Sequence, residues 1–187
     1  MKQVIERALV MGKRNKIVQI IILSVILVVG GYAIGTALLK PSNTAPVVGS
    51  TIPDIALQMA DGEVKSFNDF EGKALVLNFW GTWCEPCERE MPALQQAWEK
   101  WKPEGVEVIG INIGEDKLVV QNYMKKVNVH FPMMLDLKFK ARDAFNARGL
   151  PATFFVKPDR TVQAIHVGEL TTEMLDNYIQ QIVNAKR

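Results

Sequence analysis

Two cysteines occur in these 187 residues, and both lie in one tetrapeptide, Cys84-Glu85-Pro86-Cys87. The segment before them, Leu75 to Phe79, is a continuous apolar run of the kind expected of a central strand covered on both faces. The segment after them carries Met91, Leu94, Ala97, Trp98 and Trp101 at spacings of three and four. That spacing predicts an amphipathic helix from about Cys84 to Lys102, stopped by Pro103-Glu104-Gly105. Two thiols held this close at a helix start can close a small disulfide and reopen it. The chain is thereby restricted to folds in which a sheet delivers a dithiol to a helix N-terminus. No cysteine is left over for a structural disulfide, so the pair is read as an exchange pair.

A second feature divides the chain. Ile17 to Leu39 is uncharged over about 23 residues, and as a helix it would span about 34 Å, enough for a hydrocarbon core of ~30 Å. Lys2, Arg7, Lys13, Arg14 and Lys16 precede it against a single Glu6, whereas only Lys40 follows before the polar stretch Pro41 to Thr44. The positive-inside bias then predicts a cytoplasmic tail over 1–16, a membrane-spanning signal anchor over 17–39, and a remainder on the extracytoplasmic side of the cell membrane. A cleaved signal peptide is the alternative, with Gly35-Thr36-Ala37 imitating a cleavage site. A lipoprotein anchor would need a cysteine just after the apolar run, where none stands, and buried core helices rarely run so long.

Past residue 40 roughly 147 residues remain, enough for one domain with a full core. Residues 40–45 read as a linker and 46–184 as the domain. The net charge of +2 gives no ground for a nucleic-acid partner, since much of the basic excess sits in the short N-terminal tail. Ile55–Met59 and Glu63–Phe67 are expected to form a hairpin around Asp61-Gly62. Val106–Ile113 is a second apolar strand, and Asp116 is expected to cap a helix running through Tyr123 to about Lys126. Met133–Leu135 is a short strand, Phe139–Ala147 a short helix, and Thr153–Val156 and Thr161–Val167 two strands joined at Pro158-Asp159. Thr171 caps a last helix with Ile179, Ile182 and Val183 inward. This order predicts an α/β domain, a central sheet with helices on both faces.

Asn78-Phe79-Trp80-Gly81-Thr82-Trp83-Cys84-Glu85-Pro86-Cys87, followed by Glu90-Met91-Pro92, resembles the membrane-anchored thioredoxin-like reductases of cytochrome c maturation, and within them the ResA type of Gram-positive bacteria. The likeness runs over roughly residues 46 to 184. Gly149-Leu150-Pro151-Ala152-Thr153-Phe154 matches the segment that carries the cis-proline in thioredoxin-like folds. The resemblance implies a thioredoxin-like fold, with a central mixed sheet, flanking helices and an N-terminal β-hairpin, preceded by one transmembrane helix. It implies a redox-active Cys84–Cys87 disulfide with no other cofactor, apocytochrome c reduced at its C-x-x-C-H site, and electrons from an integral membrane thiol-disulfide donor. Spacing and composition by themselves imply only a redox motif and an anchor.

From the residues, Cys84 at the helix N-terminus is the attacking thiol, favoured as a thiolate by the unsatisfied N–H groups there, and Cys87 one turn on is the resolving thiol. A zinc pair is the competing reading, but His130 and His166 stand at no ligand spacing, so no metal site is expected. Pro86 cannot donate to a sulfur, and Glu85 puts negative charge beside the nascent thiolate, unless it is simply solvated. Trp83 is expected to shape the docking surface, Trp80, Trp98 and Trp101 the core; Met133 and Met134 are read as core, His130 and His166 as structural or surface. The lean of helical side chains lets Glu90 approach the cysteines, although an exposed helix face would serve it as well. The resemblance makes Glu90 an active-site acid, the more so because Asn78 stands where thioredoxins carry a buried aspartate base and cannot take a proton. It also implies an acid at Glu115, where capping or solvation is the alternative, and a cis Leu150–Pro151 bond that lets Leu150 pair with an extended substrate, against an ordinary trans turn.

Three rivals remain on the sequence. A thiol oxidant or isomerase shares the scaffold, though Glu85-Pro86 without a histidine between the cysteines argues against a strong oxidant. A peroxiredoxin would need a threonine where Gly81 stands. A copper chaperone for oxidase assembly would want a wider cysteine spacing and a placed histidine.

Overall fold

The computed structural model describes residues 18–32 and 45–184, which belong to two units. The first is a helix, α1, over residues 18–32, whose apolar side chains from Val18 to Val29 are exposed. It lies within the expected anchor, while the expected tail over 1–16, both ends of the 17–39 span, the Gly35-Thr36-Ala37 site and all but the last residue of the 40–45 linker lie outside the described residues. Among the described residues no helix is long and apolar enough to cross a membrane.

The second unit is built on a seven-stranded mixed sheet. Its strands are β1 (Ala56–Met59), β2 (Val64–Ser66), β3 (Ala74–Trp80), β4 (Val106–Ile113), β5 (Met133–Asp136), β6 (Ala152–Val156) and β7 (Val162–Val167), in the spatial order β2-β1-β5-β4-β3-β6-β7. β3, β4 and β5 run parallel, and every other pairing is antiparallel. β3 lies inside the sheet between β4 and β6 and every residue of it is buried, which is why it reads as a nearly unbroken apolar run. Alternation along it splits the core. Val76 and Trp80 face α2 (Glu85–Trp101), α3 (Lys117–Val127) and α5 (Thr172–Asn184). Leu75, Leu77 and Phe79 face α4 (Lys140–Phe145) and an aromatic cluster, in which Phe67, Phe79, Phe145 and Phe154 meet at centroid distances of 5.0–5.7 Å.

Several expected boundaries move for local reasons. The second hairpin strand stops at Ser66, which opens a 3-10 turn over Phe67–Phe70 through a capping box with Asp69 and drives Phe67 and Phe70 into the core. The hairpin is also not free-standing: β1 pairs antiparallel with β5 and extends the sheet. Cys84 is the N-cap of α2 rather than its first residue, and Lys102–Glu104 form a separate 3-10 turn. Asp116 takes the N-cap position of α3 with no side-chain capping bond. Phe139 and Asn146 adopt left-handed conformations that trim α4 at both ends. Thr171 does cap α5, accepting from the Met174 N–H at 3.3 Å. Trp98 and Trp101 correct the core assignment. They sit half-buried at the rim, because each indole N–H needs a partner and finds one in Glu107 at 2.8 Å and Asp176 at 2.7 Å.

Candidate active site

β3 ends at Trp80, and Gly81-Thr82-Trp83 leads to Cys84 at the N-cap of α2. Cys84 and Cys87 are joined as a disulfide. Cys84 keeps 7% of its surface exposed and Cys87 none, so an incoming sulfur meets Cys84. An acceptor at an N-cap takes its hydrogen bond from the second or third helical N–H. Pro86 holds the second position and has no N–H, which leaves the Cys87 amide alone to receive a Cys84 thiolate. Trp83 is 66% exposed, and its indole lies against Gly81, where an added Cβ would stand 2.7 Å from the ring. A side chain at residue 81 would therefore displace the Trp83 indole from its present position.

Glu90 is buried, at 1% exposure, and shares the inner face of α2 with Cys87, three residues before it. Its Oε1 accepts from Asn78 Nδ2 at 2.8 Å and its Oε2 from the Leu170 N–H at 3.0 Å. Burial pushes its pKa up to about 7, a rise that the two donors oppose and the negative Glu169 reinforces. Asn78 Nδ2 also donates to Thr153 Oγ1 at 3.0 Å. A buried chain Glu90–Asn78–Thr153 therefore runs from α2 across β3 to β6. Thr153 was not picked out from the sequence, although it lies in the same short segment as Pro151.

The Leu150–Pro151 bond is cis. Pro151 precedes β6, whose Ala152 pairs with Phe79 near the end of β3, so it flanks the stretch that leads to the cysteines. Leu150 is half-buried against both cores.

Glu115 touches the loop before the cysteines. Its carboxylate accepts from the Thr82 N–H at 2.8 Å, from the Thr82 hydroxyl, and from Asn112 Nδ2 at 2.8 Å. It thus clamps the 81–83 loop to the end of β4. Glu85 is paired rather than free: its Oε1 accepts from Arg89 Nη1 at 2.8 Å, and Arg89 Nε donates to Glu169 at 2.8 Å. Arg89 was missed from sequence, although its spacing of four from Glu85 was legible. The partnership with Glu169, eighty residues away, was not.

The cavity of about 620 Å3 lined by Lys73, Trp98, Glu107 and His130 lies at the other end, where the parallel strands begin, and contains none of these groups. Among the described residues no cluster of three or more His, Cys, Asp or Glu is placed to hold a metal ion.

The AhpC/TSA family model matches residues 48–165. The thiol-disulfide oxidoreductase ResA of Geobacillus kaustophilus (strain HTA426) is 37% identical, over 92% of this chain and 99% of that protein. The ResA protein of Bacillus subtilis (strain 168) is 35% identical over 91% and 94%. The chain belongs to the ResA-type thiol-disulfide oxidoreductases of the AhpC/TSA family. A crystal structure of a putative thiol:disulfide interchange protein DsbE from Chlorobium tepidum superposes with a TM-score of 0.69 at 26% identity, covering 74% of this chain and 99% of that one. ResA-type proteins are thioredoxin-like, and the mixed sheet with flanking helices is that fold. The reaction class follows: a thiol-disulfide oxidoreductase, and the Cys84–Cys87 disulfide stands at the N-terminus of α2.

Proposed function

We propose that this ResA-type protein is a reductant, anchored through residues 17–39 with its domain on the extracytoplasmic side of the cell membrane, and that its substrate is the C-x-x-C-H disulfide of apocytochrome c. The observation that carries the reading is the buried Glu90, on the same helix face as Cys87 and neutral or charged according to small changes near pH 7. The Cys84 thiolate attacks one substrate sulfur, forming a mixed disulfide and breaking the substrate S–S bond. The departing thiolate takes a proton, for which Glu90 is the donor. Glu90, now a carboxylate, takes the Cys87 proton. The Cys87 thiolate attacks the Cys84 sulfur, re-forms the Cys84–Cys87 disulfide and expels the second substrate sulfur as a thiolate, which receives that proton from Glu90. Two electrons and two protons pass to the substrate, and a membrane dithiol donor restores the reduced pair. Trp83 and Leu150 offer the apolar docking surface, with Pro86 beside it. The likeness to ResA proteins supports this reading, as does the uncharged α1, whose apolar side chains from Val18 to Val29 are exposed.

Equilibration of the full-length chain in defined thiol buffers tests the direction. We expect a potential near or below the ~−270 mV of thioredoxin, and reduction of a C-x-x-C-H peptide by the reduced chain. A potential approaching ~−120 mV would make the protein an oxidant and overturn the proposal.

A further inference from the structure

The segment between β7 and α5 is held at three consecutive residues. The Gly168 N–H donates to the Pro151 carbonyl at 2.9 Å, Arg89 Nε donates to Glu169 Oε2 at 2.8 Å, and the Leu170 N–H donates to Glu90 Oε2 at 3.0 Å. The same guanidinium donates from Nη1 to Glu85 Oε1 at 2.8 Å. One side chain thus joins the residue between the cysteines to the backbone that covers the buried carboxyl. Arg89 and Glu90 are neighbours on α2, the first facing solvent and the second the core. The rigid fork of a guanidinium can hold two carboxylates in fixed geometry, which an ammonium cannot.

We propose that Arg89 is a positioning residue of the exchange site: by tying Glu169 to α2 it keeps residues 168–170 closed over Glu90 and water away from that carboxyl. For its functional meaning the inference rests on Glu90 as the proton-carrying group. The charges near Glu90 divide by element. α2 supplies Glu85, Glu88 and Arg89 beside the cysteine pair, the β7–α5 segment supplies Glu169, and β7 supplies His166 opposite Thr153. β3 and β6 present the uncharged Asn78 and Thr153. Burial is the largest cause of the raised Glu90 pKa, and Glu169 adds to it. Loss of Arg89 therefore separates two accounts by sign. Acting by charge alone, Arg89 screens Glu169, and its removal drives Glu90 higher. Acting as a clasp, its removal opens the segment and water reaches the carboxyl. Relief of burial, the largest cause of the raised pKa, outweighs loss of the Leu170 N–H donor, Glu169 moves away, and Glu90 titrates lower.

The test is a carbon-13 NMR titration of the Glu90 carboxyl in the full-length oxidised chain, together with amide exchange at Leu170. In Arg89→Gln we expect the Glu90 midpoint to fall below about 7 and Leu170 to exchange about two- to fivefold faster, the size that half-exposed ion pairs support. Glu169→Gln is expected to reproduce both changes, and Arg89→Lys to restore part of each. A Glu90 midpoint that rises or stays put in Arg89→Gln, or Leu170 exchange that does not change, overturns the clasp. Glu90→Gln, assayed separately for disulfide exchange, probes the other reading: a normal rate there removes the proton-handling role and leaves the clasp standing.

Discussion

Glu90 is a carboxyl whose two oxygens each accept one hydrogen bond inside a core that resists its charge. The folded chain holds its proton up to about pH 7, while the unfolded chain releases it near the ordinary 4.5. Between those values the folded state binds more protons, so stability falls as pH rises through that window, by roughly 3 kcal/mol, and levels off above it. In Glu90→Gln the slope should vanish, at a cost of about 1–3 kcal/mol because one of the two donors loses its acceptor. Denaturant unfolding of the oxidised chain at several pH values between 5 and 8 checks this; a slope that survives the substitution assigns the proton elsewhere. For the cysteines, Cys87→Ser should accumulate a mixed disulfide through Cys84 and Cys84→Ser should lose transfer altogether, visible as a mass increment on the first variant only. Normal turnover by either would refute a two-thiol mechanism. The order of exposure of the two sulfurs was legible in the tetrapeptide, because helix position alone sets which is nearer the N-terminus. The spacing of Glu90, three after Cys87 and four before Leu94, did place it on the inner face. Its burial was not legible, because a carboxyl at such a position is ordinarily turned to solvent unless distant donors such as Asn78 and the Leu170 N–H arrive to hold it.

Among the elements, the loop between β3 and α2 shows how a strand end is kept in register with the helix it feeds. Thr82 gives both its N–H and its hydroxyl to Glu115, which also takes the Asn112 amide. Glu115→Ala strands these donors in a partly buried place, and about 1–3 kcal/mol of stability should go with them. Thr82→Val, which keeps the backbone donor, should lose less. Thermal unfolding of both variants measures the ranking, and equal losses would mean that the loop is held by something other than this carboxylate. The capping box of Ser66 and Asp69 was present in the sequence as Ser-x-x-Asp, yet the strand pattern running into Phe67 outweighed it. Asp116 errs in the other direction. It has the right residue type at the right place, but no capping bond forms, since type and spacing do not decide where a side chain turns.

On the scale of the whole molecule the two units have separate grounds for existing: a domain with its own two-layer core, and an N-terminal helix whose apolar side chains from Val18 to Val29 are exposed. Removal of residues 1–44 should leave a folded domain with unchanged disulfide exchange that no longer sediments with membranes. Fractionation of cells expressing both forms, with an exchange assay on each, tests the anchor directly; a full-length chain found only in the soluble fraction would sink it. The strand–dithiol–helix order, the α/β class and the membrane-length apolar run were determined by the sequence itself, because each is a local pattern of hydrophobicity and turn residues that a chain expresses before it packs. Tertiary structure alone decided that the N-terminal hairpin joins the sheet through β5, that Trp98 and Trp101 stop at the rim, and that Arg89 reaches Glu169. Those outcomes depend on which distant groups arrive to satisfy an open strand edge, an indole N–H or a charge, and no local pattern carries that information.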